Sequence, residues 1–155
     1  MLSAYGWVAM RAHPPAERGW LETDPDFGDV ERHDAARRQA DDEMFDAFQR
    51  WLSSDHSSLM CQFLPNSNND RGVLTFHVSR NHTAPELEAL LDWICEHAPG
   101  SDGLVCVLDD EDDGSHRRTT GIDNSNRFRV LRILHGQVEE MDDPFFGDVY
   151  WSRYE

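Results

Sequence analysis

The chain has 155 residues, with 30 Asp and Glu against 14 basic residues, all of them arginine, for a formal net charge of −16. That length fits one domain with one core, and 39% apolar content with five tryptophans is too much for a disordered acidic tail. So acidic a chain is repelled by DNA, RNA and anionic lipid, which leaves neither nucleic acid nor membrane as an expected partner and points to a basic protein surface instead.

The first residues, Met1-Leu2-Ser3-Ala4-Tyr5-Gly6-Trp7, lack the positive region and apolar run of an export signal. The longest strongly apolar run, Leu104-Val105-Cys106-Val107-Leu108, is far below the ~20 residues that span a bilayer. Cys61, Cys95 and Cys106 are odd in number, widely spaced and set among apolar neighbours, which suits reduced thiols and not a disulfide framework or zinc site. The expected location is the cytoplasm.

In chain order, Ala4–Arg11 reads as a strand, with Tyr5, Trp7 and Ala9 pointing one way and Val8 and Met10 the other. His13-Pro14-Pro15 stops it, and Glu17–Gly28 is expected to be a loop holding Trp20, Pro25 and Phe27. From Asp29 to Ser53 the period changes to helical: Ala40, Met44, Ala47, Phe48, Trp51 and Leu52 form one stripe, and Asp41, Asp42, Glu43, Asp46 and Arg50 take the rest of the surface. Ser57–Leu64 and Gly72–Arg80 read as strands, joined through the turn-rich Pro65–Gly72 as a hairpin. Thr83 and Glu86 have capping-box spacing, with Pro85 in the first turn of a second helix. Its stripe is Leu87, Leu90, Leu91, Ile94 and Ala98, and Pro99-Gly100 ends it. Gly103–Leu108 is apolar on both faces, which predicts a central strand covered on both sides. Phe128–His135, closed by Gly136, is the last clear strand. The order predicts an α+β single domain over 1–155, with a largely antiparallel sheet of about five strands and two main helices.

Two acidic blocks stand out. Asp109-Asp110-Glu111-Asp112-Asp113-Gly114 follows the central strand, but it is a poor calcium loop: position 3 is Glu111, position 12 is Thr120, and a strand precedes it where a helix belongs. Glu139-Glu140-Met141-Asp142-Asp143 lies beyond the last clear strand and runs into Pro144-Phe145-Phe146-Gly147. Residues 1–77 hold 13 acids and seven arginines, net −6, while 78–155 hold 17 and seven, net −10. Both blocks fall at strand ends and can share one edge of the domain. Carboxylates beside exposed aromatics suit a protein-binding patch, because aromatics anchor and charges steer. A solvated acidic turn and a C-terminal segment tucked against the core are the plainer readings of the same residues.

Catalytic patterns are absent from the sequence. The eight histidines show no metal spacing; His77 and His82 fall on a strand and in a loop, and His97 near a helix end suits the helix dipole. No G-x-S-x-G or phosphate-cradling glycine loop occurs. A binding protein is expected, with no catalytic residue, no metal and no cofactor.

The second half carries a resemblance. Leu90-Leu91-Asp92-Trp93-Ile94-Cys95-Glu96-His97-Ala98-Pro99-Gly100-Ser101-Asp102-Gly103-Leu104 leads to Asp109-Asp110-Glu111-Asp112, then Asn126-Arg127-Phe128-Arg129-Val130, then Gly136 and Asp143-Pro144-Phe145. This order resembles the immunity protein 7 family of bacterial polymorphic toxin systems, with weaker agreement at Gly6-Trp7-Val8 and Asn81-His82. The chain departs from the family pattern between Gly114 and Asn124, where Arg117-Arg118 lengthens the connection, and at Phe146-Gly147-Asp148. The resemblance implies a non-enzymatic antitoxin that binds a cognate toxin domain; the charge of the chain, taken separately, favours a toxin with a basic surface, for which a nuclease is a candidate. Expected contacts are Asp109, Asp110, Glu111, Asp112, Asp113, Glu139, Glu140, Asp142 and Asp143, with Trp7, Phe145 or Phe146 as anchors. The alternative is an acidic adaptor or nucleic-acid mimic acting on a basic host protein. Whether the free protein forms a homo-oligomer is open from sequence.

Overall fold

The computed structural model describes residues 2–14, 27–54, 59–68, 71–81, 84–111, 125 and 128–142; at 27–31, 33, 67, 68, 79–81 and 142 it describes the backbone alone. The elements in order are β1 (Leu2–Met10), α1 (Phe27–Leu52), β2 (Leu59–Asn68), β3 (Arg71–Asn81), α2 (Pro85–His97), β4 (Asp102–Asp109), β5 (Phe128–Leu134) and β6 (Gln137–Asp142). They form an α+β domain with a six-stranded sheet in the order β2-β3-β1-β4-β5-β6. Every neighbouring pair is antiparallel.

The sheet is one strand larger than about five because Gln137–Asp142 pairs with β5. Three acids in six residues weaken the intrinsic strand preference of this segment. Cross-strand partners offset that: Arg132 sits opposite Glu139, and Arg129 reaches Glu140 at 3.4 Å. The connection is a two-residue turn at His135 (φ 52°) and Gly136 (φ 71°), the paired positive φ angles of a type I′ hairpin. The second acidic block is therefore part of an edge strand and does not lie beyond the sheet.

Alternation sorts the sheet into two unlike faces. On β1, Leu2, Ala4, Val8 and Met10 are buried while Tyr5 and Trp7 are about half exposed. The buried parity continues through Leu74, Phe76 and Val78 on β3, Val105 and Val107 on β4, and Leu131 and Ile133 on β5. Both helices pack on this face. α1 brings Met44, Phe45 and Phe48, and the Phe48 ring lies 5.0 Å from Phe63 of β2 and 4.8 Å from Trp93 of α2. α2 brings Leu87, Leu90, Leu91 and Ile94, each at most 3% exposed. Removing this much apolar surface from water at ~25 cal/mol per Å² is the main stabilising term.

Several local expectations need correcting. α1 begins at Phe27, so the last two residues of the expected Glu17–Gly28 loop are helical; 15–26 lie outside the described residues. The α2 N-cap is Ala84 with no side-chain cap, and the Leu87 N–H donates to Ala84 O at 3.0 Å, so the helix starts one residue beyond a Thr83 capping box. Thr83 itself lies outside the described residues. β2 runs through the expected turn to Asn68, with an irregularity between Leu64 and Asn68 where Asn66 has φ 54°. β4 is central, between β1 and β5, but among the described residues it is covered on one side only: Leu104 is 38% exposed, whereas Val105 and Val107 are buried.

Tight backbone contacts at one end of the sheet lock α1 and the α2–β4 turn to β1. Asp41 Oδ1 accepts the Ala12 N–H at 2.7 Å, and the Gly100 N–H donates to Arg11 O at 3.2 Å. A Cβ on Gly100 would lie 1.9 Å from the His13 carbonyl oxygen, so only glycine fits there.

Candidate functional site

The sheet face away from the helices is the candidate interface. Among the described residues no helix or strand lies over it. Its composition follows from strand registers, read across from β2 to β6. The middle row is Gln62, Thr75, Trp7, Leu104, Arg132 and Glu139. The row on one side is Met60, His77, Tyr5, Cys106, Val130 and Met141. On the other side lie Leu64, Val73, Ala9, Asp102, Leu134 and Gln137.

Every large hydrophobic side chain found exposed among the described residues falls in these three rows. Met60 is 64% exposed, Tyr5 49%, Trp7 48% and Met141 41%; Leu64, Leu104 and Leu134 complete the set. Single exposed apolar residues need no explanation, but a contiguous set on one sheet face does. Trp7 is central, flanked by Thr75 and Leu104 on the neighbouring strands. A shallow depression of about 620 Å³ opens beside Met60, Gln62, Thr75 and His77 toward the β2 edge.

The charges on this face are paired at its margins. Arg71 lies 3.4 Å from Asp102, and Arg132 pairs with Glu139. Near the Arg71 end, Arg11 has its guanidinium pKa lowered, first by burial and then by repulsion from Arg71.

The acidic blocks do converge on one end of the sheet. β4 ends there at Asp109, and β6 ends there with Asp142 opposite Arg129 of β5, so the two blocks stand on the order of 10 Å apart with β5 between. Their members have different surroundings. Asp110 and Glu111 are exposed. Asp109 is 1% exposed, on the buried parity of β4, and its Oδ1 accepts the Glu111 N–H at 3.1 Å. That carboxylate shapes the turn and offers almost no surface to a partner. Glu139 is exposed and belongs to the open face, whereas Glu140 points to the helix side, 17% exposed beside Arg129 at 8%. Asp112, Asp113, Asp143, Phe145 and Phe146 lie outside the described residues, as does the remainder of the calcium-like loop, 114–120.

The sequence reading singled out Trp7 but not the surface around it. Leu104 and Met141 are not legible as surface residues in the sequence, because Gly103–Leu108 is apolar on both faces and the acidic Gln137–Asp142 does not read as a strand. The three cysteines are unbridged. Burial pushes the Cys61 thiol up to about 11, while Cys106 faces the open side next to Tyr5. Among the described residues no group of three His, Cys, Asp or Glu side chains is arranged to hold a metal ion. No helix among them is long and apolar enough to cross a membrane.

The sequence model of the family described as Immunity protein 7 matches residues 66–151, more than half of the chain. No curated protein and no solved structure matches it. The matched stretch takes in β3, α2, β4, β5 and β6, while β1, which carries Trp7, precedes it.

Proposed function

The chain belongs to the immunity protein 7 family, and from that premise we propose that it neutralises a cognate toxin domain in the cytoplasm by binding it stoichiometrically, residues 1–155 acting as one unit. The family membership over 66–151 carries this reading. The net charge of −16 supports a toxin with a basic surface, since opposite potentials steer association and raise the encounter rate. A nuclease domain fits that polarity: its substrate groove attracts phosphate, and carboxylates placed there use the same attraction.

The acidic contribution falls to the sheet end where β4 and β6 terminate. Asp110, Glu111 and Glu139 are exposed there or nearby, and Asp112, Asp113, Asp142 and Asp143 continue the two blocks in sequence. Asp109 and Glu140 serve by holding the turn and the edge strand in place. Trp7, Phe145 and Phe146 are the aromatic anchors of the proposal. Exposed carboxylates of this kind act mainly on association rate and salt dependence.

The test is co-expression with the toxin domain encoded by the neighbouring gene, scored by survival. The wild-type chain should restore growth. The triple reversal Asp110→Arg, Glu111→Arg, Glu139→Arg should protect less well, and the purified variant should associate more slowly, most of all at low salt. Death of cells expressing the wild-type chain at equal level would remove the functional reading, and an unaffected triple variant would remove the acidic contact.

A further inference from the structure

We propose that the cognate toxin docks across the open sheet face, with Trp7 as the central anchor, through an apolar patch bordered by basic side chains. This deepens the immunity reading and rests on it.

Size is the first argument. Six strands spaced ~4.8 Å apart, each showing about seven residues at ~3.4 Å, give a face of roughly 25 Å by 25 Å, or ~600 Å² before side-chain relief. That approaches the ~800 Å² per partner of a standard protein–protein interface. Seven large hydrophobic side chains, Tyr5, Trp7, Met60, Leu64, Leu104, Leu134 and Met141, are exposed together on this one face, and such contiguous patches mark interaction sites.

Composition is the second argument. The centre holds Trp7, Tyr5 and Leu104, aromatic and aliphatic groups that stand on rigid sheet backbone and lose little conformational freedom on binding. The ion pairs Arg71–Asp102 and Arg132–Glu139 stand near the margins. An apolar centre with a polar rim is the usual anatomy of a specific interface.

Charge selects the occupant. Two copies of this chain would each bring −16, so self-association across the face opposes a large repulsion. Single-stranded nucleic acid can stack on sheet aromatics, but its phosphates are repelled by the same charge. A partner with an apolar patch and a basic border meets both the centre of the face and the acidic end formed by Asp110 and Glu111. The toxin domain required by the immunity reading is that partner.

The experiment measures affinity between this chain and the purified toxin domain encoded by the neighbouring gene, by titration calorimetry, with melting curves as the folding control. Trp7→Ala should weaken binding at least ~30-fold, and Trp7→Ala with Leu104→Ala should abolish it, at a melting temperature near wild type. Asp46→Ala, on the exposed side of α1, should bind as wild type does. Oxidative footprinting of the wild-type complex needs no variant: Trp7, Met60 and Met141 should be protected on toxin addition. If the wild type binds and protects cells, yet Trp7→Ala binds equally well and Trp7 oxidises as before, the docking face is wrong and the immunity reading stands. If the wild type binds no toxin, both fall. A wild-type dimer that Trp7→Ala converts to monomer, or binding of a uridine oligonucleotide lost in Trp7→Ala, overturns the proposal by giving the face another occupant.

Discussion

Asp109 and Asp110 are adjacent in sequence and should behave oppositely when changed to alanine. Asp109 is 1% exposed, and its Oδ1 accepts the Glu111 N–H at 3.1 Å. Asp109→Ala leaves a buried turn without its acceptor, at a cost of about 2 kcal/mol, from a range of ~1–3 for an unsatisfied buried group. In a domain of this size each kcal/mol lowers the melting temperature by ~2–4 °C, so the expected drop is about 4–8 °C. Asp110→Ala changes an exposed carboxylate and should stay within ~0.5 kcal/mol, a shift of at most ~2 °C. Asp109→Asn keeps an oxygen acceptor and should fall between the two. Thermal and urea melts followed by circular dichroism read all three. Equal melting temperatures for Asp109→Ala and Asp110→Ala would refute the assignment of Asp109 to the turn, and would return it to the set of surface carboxylates.

Other consequences follow from the packing and the titrating groups. Phe48→Ala empties a site 0% exposed among three aromatic rings and should cost ~3–5 kcal/mol in urea denaturation. Arg129→Ala leaves Glu140 half of a mostly buried pair and should cost ~3–5 kcal/mol, whereas Arg132→Ala breaks an exposed pair and should cost less than ~1 kcal/mol; equal losses would contradict the two-faced sheet. Cys61, raised to about 11, should hold only ~0.1% thiolate at pH 8 and react with iodoacetamide far more slowly than it does in unfolded chain. Because the folded pKa is the higher one, this group's contribution to stability is complete below the ordinary value of 9.0 and is lost as pH rises toward about 11. Cys61→Ala should flatten that part of the stability profile.

How much of this could be read from the sequence depended on whether the signal was periodic or pairwise. The stripe of α2 was legible because Leu87, Leu90, Leu91, Ile94 and Ala98 repeat at helical spacing, and all five are buried. The two faces of β1 were legible for the same reason. Phe45, 2% exposed, was missed because the template for α1 took only the stripe through Met44 and Phe48, while Phe45 turns toward Phe63, their rings 5.6 Å apart. β6 was missed because its stability lies in partners: Glu139 and Glu140 look unsuited to a strand until Arg132 and Arg129 are placed beside them. The open face was hidden by the apolar character of β4, since Leu104 and Val105 are alike in hydropathy but only one meets the helices. The acidic end was half legible. Two charged blocks pointed to one edge, and the registers bring them to it, but only a structure separates exposed Asp110 from buried Asp109.

The central claim is neutralisation by binding, and titrating the activity of a candidate toxin domain from the same genome, chosen by survival on co-expression, tests it most directly. With toxin well above the dissociation constant, residual activity should fall linearly as chain is added and reach zero at one equivalent, with a 1:1 complex recovered by size-exclusion chromatography. Full inactivation by a small fraction of an equivalent would mean that the chain acts as a catalyst, and unchanged activity at excess chain would mean that it is not this toxin's inhibitor.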